Sequence, residues 1–182
     1  EIPDIEVFVY SSDMQIKGKK AVKMKIVEAL NKKIIKLSWH AYWIATELFW
    51  FKKMGANMDK FRIRQHLPDE KSHYSTDTWD IEYEFPFGFK ELQGIADRGT
   101  YDLTKHQEKS KKSMEIVDDS IQKKILPMVV AEPSLGVERA FLVFLFDSYS
   151  VNEKEEIVLK LNPRLSPIKV AIFPLVKKDE TQ

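Results

Sequence analysis

The chain has 182 residues, of which 43% are hydrophobic and 12% aromatic, with a formal net charge of +1 and no cysteine. This composition excludes a disordered chain, a disulfide framework, a thiolate nucleophile and a cysteine zinc site. The length suits one well-filled domain, or one domain with a fragment of another. No uncharged stretch of about 18 residues exists, so we expect no membrane span, and a cytoplasmic location is the simplest expectation. The start on Glu1 rather than Met favours an origin within a longer gene product.

The first predicted elements are a strand and two helices. Residues 5–10 alternate between polar and apolar and predict a strand. Residues 20–32 predict a helix with a lysine-rich outer face, and residues 37–54 predict a second helix. That second helix carries a tryptophan stripe, which we interpret as core, and an aliphatic and aromatic stripe on another side. The two stripes are Trp39, Trp43 and Trp50, and Ile44, Leu48 and Phe51.

Basic residues are unevenly distributed. Eight lysines and a single acid, Glu28, lie between Lys17 and Lys36. This run suits either contact with a phosphate backbone or a solvated helix face, and the solvated face is the favoured interpretation. The few arginines are candidates for bidentate contacts with anions. They are Arg62, Arg64, Arg98, Arg139 and Arg164.

In the middle of the chain, apolar and polar residues alternate with a period of two. Residues 61–64, 79–85 and 89–95 predict three neighbouring strands joined by short turns. Such strands form an antiparallel sheet with one polar face, which here carries acids and could line a site. Together with the helices, they predict an α+β fold.

The remaining elements are shorter. Residues 101–110 predict a polar, partly helical segment, and residues 111–124 predict a mobile insertion. Two more strands are predicted at 125–131 and 156–161. Residues 162–167 predict a linker, and 168–173 the first strand of another domain. The expected organisation is therefore one domain over 1–161, with a linker and the beginning of a second domain over 162–182.

A short segment connects the predicted strand at 125–131 to the apolar helical run at 140–146. It contains Glu132, Ser134, Gly136 and Arg139. A helix N-terminus offers free N–H groups to an anion. Ser134 is a plausible N-cap, and Arg139, one turn later, suits a phosphate or carboxylate. An ordinary capped core helix with a surface ion pair fits these residues about equally well.

Histidines offer a weaker alternative, a metal enzyme. They occur at His40, His66, His73 and His106 without the spacing of metal ligands on a single helix. Isolated histidines are more often structural.

From residue 60 onward the chain resembles class II glycyl-tRNA synthetase in its single-polypeptide, homodimeric form. Three blocks carry the resemblance, and the third is similar to motif 3 of class II synthetases. The blocks are FRIRQH at 61–66 with HYS at 73–75 and DIEYEFPFG at 80–88; ELQGIADR at 91–98 with YDL at 101–103 and His106; and EPSLG at 132–136 running on to Arg139. Beyond them, LNP at 161–163 and SPIKVAIFPL at 166–175 resemble the entry into the anticodon-binding domain.

The resemblance implies a partial class II catalytic domain that activates glycine with ATP and Mg²⁺ and esterifies tRNA(Gly). Arg139 is implied as the catalytic, phosphate-binding arginine, and no metal ligand is implied among the residues of the chain. The glycine-binding residues implied are Glu132, Pro133, Ser134, Leu135 and Gly136. The ATP-binding residues implied are Glu91, Leu92, Gly136, Val137, Glu138 and Arg139.

The chain departs from the family pattern in one respect. Motifs 1 and 2, which supply a second ATP-binding arginine and further acids of the glycine pocket, are not found in it. We therefore expect the chain by itself to be inactive. The alternative is a non-catalytic synthetase-like module that binds RNA or a protein partner.

Overall fold

The computed structural model describes residues 1–174. In this part of the chain no helix is long and apolar enough to cross a membrane. Five helices are present: α1 Ser12–Ile16, α2 Ile26–Asn31, α3 Ser38–Lys53, α4 Tyr101–Ser110 and α5 Val137–Ser148. Ten strands are present: β1 Glu6–Tyr10, β2 Val22–Lys25, β3 Phe61–Gln65, β4 Asp77–Phe85, β5 Gly88–Asp97, β6 Ile116–Asp118, β7 Lys123–Ile125, β8 Glu132–Leu135, β9 Tyr149–Val151 and β10 Ile157–Leu159.

Six of the strands form one sheet in the order β2-β1-β3-β4-β5-β8. Every neighbouring pair is antiparallel except β1 and β3, which run parallel. The other four strands form two hairpins, β6-β7 and β9-β10. The predicted α+β fold with an antiparallel sheet of three neighbouring strands is therefore confirmed, and strands at both edges extend it.

Strand β4 lies within the sheet and shows why its sequence alternates. Trp79, Ile81 and Tyr83 on one face are fully buried in the apolar core. On the other face Asp80 and Glu82 are also buried. Successive side chains of a strand point to opposite faces, so the alternating sequence gives this sheet an apolar face and a charged face.

Helices α3 and α5 cover the apolar face. The ring of Phe51 from α3 lies 5.3 Å from that of Phe61 on β3 and 5.8 Å from that of Phe144 on α5, measured between centroids. Phe61 in turn meets Tyr83 edge-on at 5.2 Å. Aromatic pairs at these separations add to the gain from burial. The C-terminal end of α5 is fixed by Asp147, which accepts hydrogen bonds from Lys60 and from the Tyr83 hydroxyl.

Helix α3 confirms its predicted bounds but not the predicted core stripe. Its buried side is the one with Ile44, Leu48 and Phe51, whereas Trp39 is 61% exposed. Trp43 and Trp50 are 37% and 39% exposed. The tryptophan stripe therefore lies at the surface. Both stripes are apolar, and the sheet meets the one with smaller side chains.

Three further expectations need correction. Only the second half of residues 20–32 is helical, because Val22–Lys25 pairs with β1 as an edge strand. The expected insertion at 111–124 contains β6, and its last two residues begin β7 of the same hairpin. Residues 168–173 are exposed and form no strand. The division of the chain into two domains remains a prediction, and part of the segment 162–182 lies outside the described residues.

The site segment also differs from its predicted layout. Residues 126–131 are not a strand; instead Glu132–Leu135 is the strand that pairs with β5. Ser134 is therefore inside a strand rather than an N-cap, and Gly136 takes the N-cap position without a side-chain hydrogen bond. Helix α5 is partly exposed, since Val137 is 72% exposed and Phe141 is 65% exposed.

Candidate functional site

The candidate site lies on the charged face of the sheet and is built by strand register. Asp80 on β4 is directly opposite Gly94 on β5, and Gly94 is opposite Ser134 on β8. One row further along, Ala96 on β5 lies opposite Glu132 on β8. Residues two apart along a strand share a face. The small residues of the middle strand therefore leave a hollow between the polar side chains of β4 and β8.

A β-bulge brings one more acid to this face. Glu82 lies opposite Glu91 rather than Leu92, because the register between β4 and β5 shifts at this point. In a regular ladder, Glu91 would be opposite Tyr83 and would point toward the core. Bulges are known to re-aim side chains next to functional sites. Here the extra residue places the Glu91 carboxylate above the hollow.

These side chains line one cavity of about 230 Å³. A Cβ atom added to Gly94 would lie 3.6 Å from Oδ1 of Asp80 and 3.6 Å from Oε1 of Glu91. Both carboxylates therefore converge over the glycine. The complete lining is His66, Ser72, Tyr74, Thr78, Asp80, Glu91, Gly94, Ala96, Glu132 and Ser134.

The acids of the cavity differ in their partners. Asp80 is bonded to Nε2 of His66 at 2.8 Å and lies 3.9 Å from Nη1 of Arg64. This hydrogen bond to Asp80 raises the pKa of His66. The Nδ1 atom of His66 is buried without a hydrogen-bond partner among the described residues. Glu91 forms no ion pair within residues 1–174, so it is the acid whose charge is least compensated.

Glu132 is held from outside the cavity by Arg98. The guanidinium donates to Glu132 at 2.8 Å and makes two bonds to Asp102, at 2.6 and 2.7 Å. It also lies 3.9 Å from the ring centre of Tyr74. The bonds to Asp102 and Glu132 raise the pKa of Arg98, so this side chain is a fixed cation. Arg98 binds one carboxylate oxygen of Glu132 and leaves the other without a hydrogen bond in the described structure.

The start of α5 is attached to the bulge in β5. The backbone N–H of Gly136 donates to the carbonyl of Leu92 at 3.2 Å. The guanidinium of Arg139 donates to the backbone carbonyl of Glu91. Residues more than 40 positions apart in sequence are thereby brought together, and the exposed Arg139 lies beside Glu91, which lines the cavity.

The structure thus assembles most of the residues that the sequence singled out. Glu91, Glu132 and Ser134 line the cavity, whereas Pro133 and Leu135 alternate with them and do not. The roles assigned to all of these residues remain predictions. Sequence reasoning expected the acid-bearing face of the sheet, which includes Asp80, to line a site, but it assigned no individual role to Asp80 or Gly94; the signal for Gly94 was the small residues of β5.

The histidines do not form a metal site. Among residues 1–174 there is no group of three or more His, Asp or Glu side chains placed to hold a metal ion. His40 is buried, with its Nε2 atom 2.9 Å from the carbonyl of Ile95, and burial lowers its pKa. It is therefore a structural histidine of the core.

A mostly antiparallel sheet flanked by helices, with an acid-lined cavity and an arginine bonded to one of its strands, is an α+β arrangement consistent with part of a class II synthetase-like domain. No family model matches the chain.

Individual proteins do match it. The chain is 45% identical over 145 residues to a glycine–tRNA ligase of Caldanaerobacter subterraneus subsp. tengcongensis, covering 78% of the chain and 31% of that protein. The glycine–tRNA ligase of Mesoplasma florum is 43% identical over 149 residues, covering 79% and 33%. That of Thermobifida fusca is 40% identical over 148 residues, covering 75% and 32%. The chain spans about a third of the length of these relatives, and its resemblance to glycyl-tRNA synthetases is confirmed over that portion.

Proposed function

We propose that this chain is the part of a glycine–tRNA ligase that binds glycine and the phosphates of ATP. The observation that carries the proposal is the convergence of Glu91, Glu132 and Ser134 on one small cavity, with Arg139 bonded to the backbone of Glu91. The relatives named glycine–tRNA ligase support the same assignment.

The cavity suits the amino end of glycine. Glycine is a small zwitterion, and its ammonium needs a carboxylate and further hydrogen-bond acceptors. Glu132 offers its oxygen that is not bonded to Arg98, and Ser134 offers a hydroxyl beside it. Arg98 fixes the direction of Glu132, so the acid is preorganised before glycine arrives.

Arg139 suits the phosphates of ATP. Its guanidinium is exposed and is held by a single backbone carbonyl, so its other N–H groups are available to an anion. In the proposed reaction a carboxylate oxygen of glycine forms a bond to the α-phosphorus as the bond to pyrophosphate breaks. The 3′-terminal hydroxyl of tRNA(Gly) then attacks the glycyl carbonyl, and AMP leaves. Such transfers depend on positioning and on neutralising charge rather than on a protein nucleophile.

Mg²⁺ would accompany ATP. A magnesium ion bound mainly through phosphate oxygens needs only one or two carboxylates from the protein. Glu91 fits this requirement because it is exposed. Its backbone carbonyl also bonds to Arg139, so it lies close to the side chain that we propose for the phosphates. We further propose that the intact enzyme is a cytoplasmic homodimer.

The test is glycine-dependent exchange of pyrophosphate into ATP, measured with the complete gene product. Glu132→Gln keeps the shape of the side chain but removes its charge. It should raise the KM for glycine by about tenfold or more, with little change in the KM for ATP, because only glycine brings an ammonium. The matched control is Glu153→Gln, in the exposed turn of the β9-β10 hairpin. Equal changes in both KM values, or no exchange by the unmodified protein, would contradict the proposal.

A further inference from the structure

We propose that a lysine-lined groove beside the site binds the phosphate backbone of RNA. The groove has a volume of about 600 Å³ and is formed by the ends of β1 and β3, the helix α1, the turn after α2 and the loop after β3. Its lining is Ser11, Ser12, Asp13, Met14, Ile16, Lys19, Lys33, Ile34, Lys36, Gln65, Pro68 and Lys71.

The ion pairs of the chain distinguish these lysines from their neighbours. Half of the eight lysines between positions 17 and 36 are paired with an acid, and half have no ion pair within the described residues. The paired lysines are Lys17 with Asp13, Lys23 with Asp59 and Glu6, Lys25 with Asp4, and Lys32 with Glu28. Of the four without a pair, Lys19, Lys33 and Lys36 line the groove and only Lys20 does not.

The groove contains little negative charge to compensate these cations. Asp13 is its only acid, and Lys17 neutralises it at 2.8 Å. The hydroxyl of Ser12 lies in the lining and has no hydrogen-bond partner in residues 1–174. Three uncompensated ammonium groups in one open groove suit several consecutive phosphates better than a single small anion.

The position of the groove indicates RNA. The loop that follows β3 separates it from the acid-lined cavity: Pro68 and Lys71 line the groove, whereas Ser72 and Tyr74 line the cavity. A polyanion whose end enters the cavity would therefore pass its backbone beside these lysines. The inference rests on the proposed function for the identity of this RNA, which is the acceptor arm of a tRNA.

The test measures binding of a labelled RNA hairpin with a single-stranded CCA end by fluorescence anisotropy over a range of salt concentrations. The groove variant is Lys19→Gln/Lys33→Asn/Lys36→Gln, with Asn at position 33 because this residue has a φ of 57° and Asn tolerates that conformation. The variant should bind RNA about tenfold more weakly or worse, with a slope of log Kd against log salt that is smaller by about two to three.

The matched control is Lys23→Gln/Lys25→Gln/Lys32→Gln, which removes the same charge from the same segment. These lysines are ion-paired, and both they and their acid partners lie outside the groove lining. Equal weakening by the two triple variants would mean that only net charge matters, and it would overturn the proposal. Unchanged RNA binding by the groove variant, together with lost binding to phosphatidylserine vesicles, would point to a membrane surface instead and would also overturn it.

A second measurement does not depend on any variant. Acylation of lysines with and without the hairpin, read by mass spectrometry, should show protection of Lys19, Lys33 and Lys36 but not of Lys20. Because neither assay involves glycine or ATP, the outcome is independent of the pyrophosphate-exchange test. Protection of Lys20 alone, or of no groove lysine, would contradict the proposal.

Discussion

The two faces of β4 are both buried, but different interactions stabilise them. On the apolar face Trp79, Ile81 and Tyr83 are buried against α3 and α5. On the charged face Asp80 and Glu82 are buried against Arg62, Arg64 and His66 of β3 and the residue after it. Transfer of apolar surface from water stabilises the first face, whereas charges on the second face contribute only while their partners are present. The apolar face should therefore govern stability, and the charged face should govern function.

The largest loss of stability is expected from Trp79→Ala. This side chain is fully buried, and its removal leaves a large cavity in the core. The free energy of unfolding should fall by about 3–5 kcal/mol, measured by urea denaturation. That is a large part of the stability of a typical domain. A loss below about 1 kcal/mol would show that the core face is not what holds the sheet together.

Loss of activity without loss of stability is expected from Arg139→Ala, which alters the side chain bonded to the backbone of Glu91. The arginine is exposed and touches the protein through one backbone carbonyl, so the fold should remain intact. In the complete gene product, kcat/KM for ATP-dependent glycine activation should fall by about 100-fold or more, because a charge-assisted contact to phosphate is lost. Pyrophosphate exchange within about threefold of the unmodified protein would contradict the role that we propose for this arginine.

An intermediate effect is expected from Asp80→Asn on the charged face. The change leaves His66 without its anionic partner, whereas Arg64 loses only a contact at 3.9 Å and keeps its bonds to Glu70. The free energy of unfolding should fall by about 1–3 kcal/mol. Asp69→Asn in the exposed loop serves as the control, and an equal loss from both variants would mean that the charged face has no special role.

Two histidines should give opposite pH dependences of stability. Burial lowers the pKa of His40 from 6.5, so the unfolded chain takes up a proton at a higher pH than the folded protein. The stability that depends on neutral His40 is therefore present above pH 6.5 and is lost as the pH falls from 6.5 toward the lowered pKa. Hydrogen bonding to Asp80 raises the pKa of His66 from 6.5, so its contribution is complete below pH 6.5 and is lost as the pH rises through the raised value. Urea denaturation over this range should show both trends, and Asp80→Asn should abolish only the one on the alkaline side. Proton NMR titration of the two rings with equal pKa values would contradict this prediction.

The smallest effect is expected from Trp39→Gln on the outer side of α3. The side chain is 61% exposed, so the free energy of unfolding should change by no more than about 0.5 kcal/mol. Leu48→Ala on the buried side of the same helix should cost about 2–5 kcal/mol. Similar losses from both variants would restore the interpretation of the tryptophan stripe as core.

Elements with one clear periodicity were predictable from the sequence. Alternation over residues 79–85 gave both β4 and its two faces, and the helical period gave α3 within one residue at each end. The orientation of α3 was not predictable, because it has two apolar sides and hydrophobicity alone does not say which one meets a sheet. Val22–Lys25 alternates over too few residues to be distinguished from the helix that follows it.

The candidate site was predictable in composition rather than in geometry. The resemblance supplied Glu91, Glu132, Ser134 and Arg139 by their order in the chain. It could not show the bulge at Leu92, because a bulge depends on pairing with another strand. Ser134 was placed at a helix start since serine favours that position, yet the pairing of Glu132–Leu135 with β5 makes this segment a strand.

The dependence of the cavity on register has a consequence for how such a site is inherited. Its acids and hydroxyl come from three strands aligned across one sheet, and one of the acids reaches the cavity only through a bulge. A shift in pairing that placed Leu92 opposite Glu82 would remove the bulge, leave every residue of the site present and turn Glu91 toward the core. A descendant of this chain could therefore keep every signature residue and still lose the site through a one-residue shift in strand pairing, so that the register of the strands, rather than residue identity alone, is what selection must preserve.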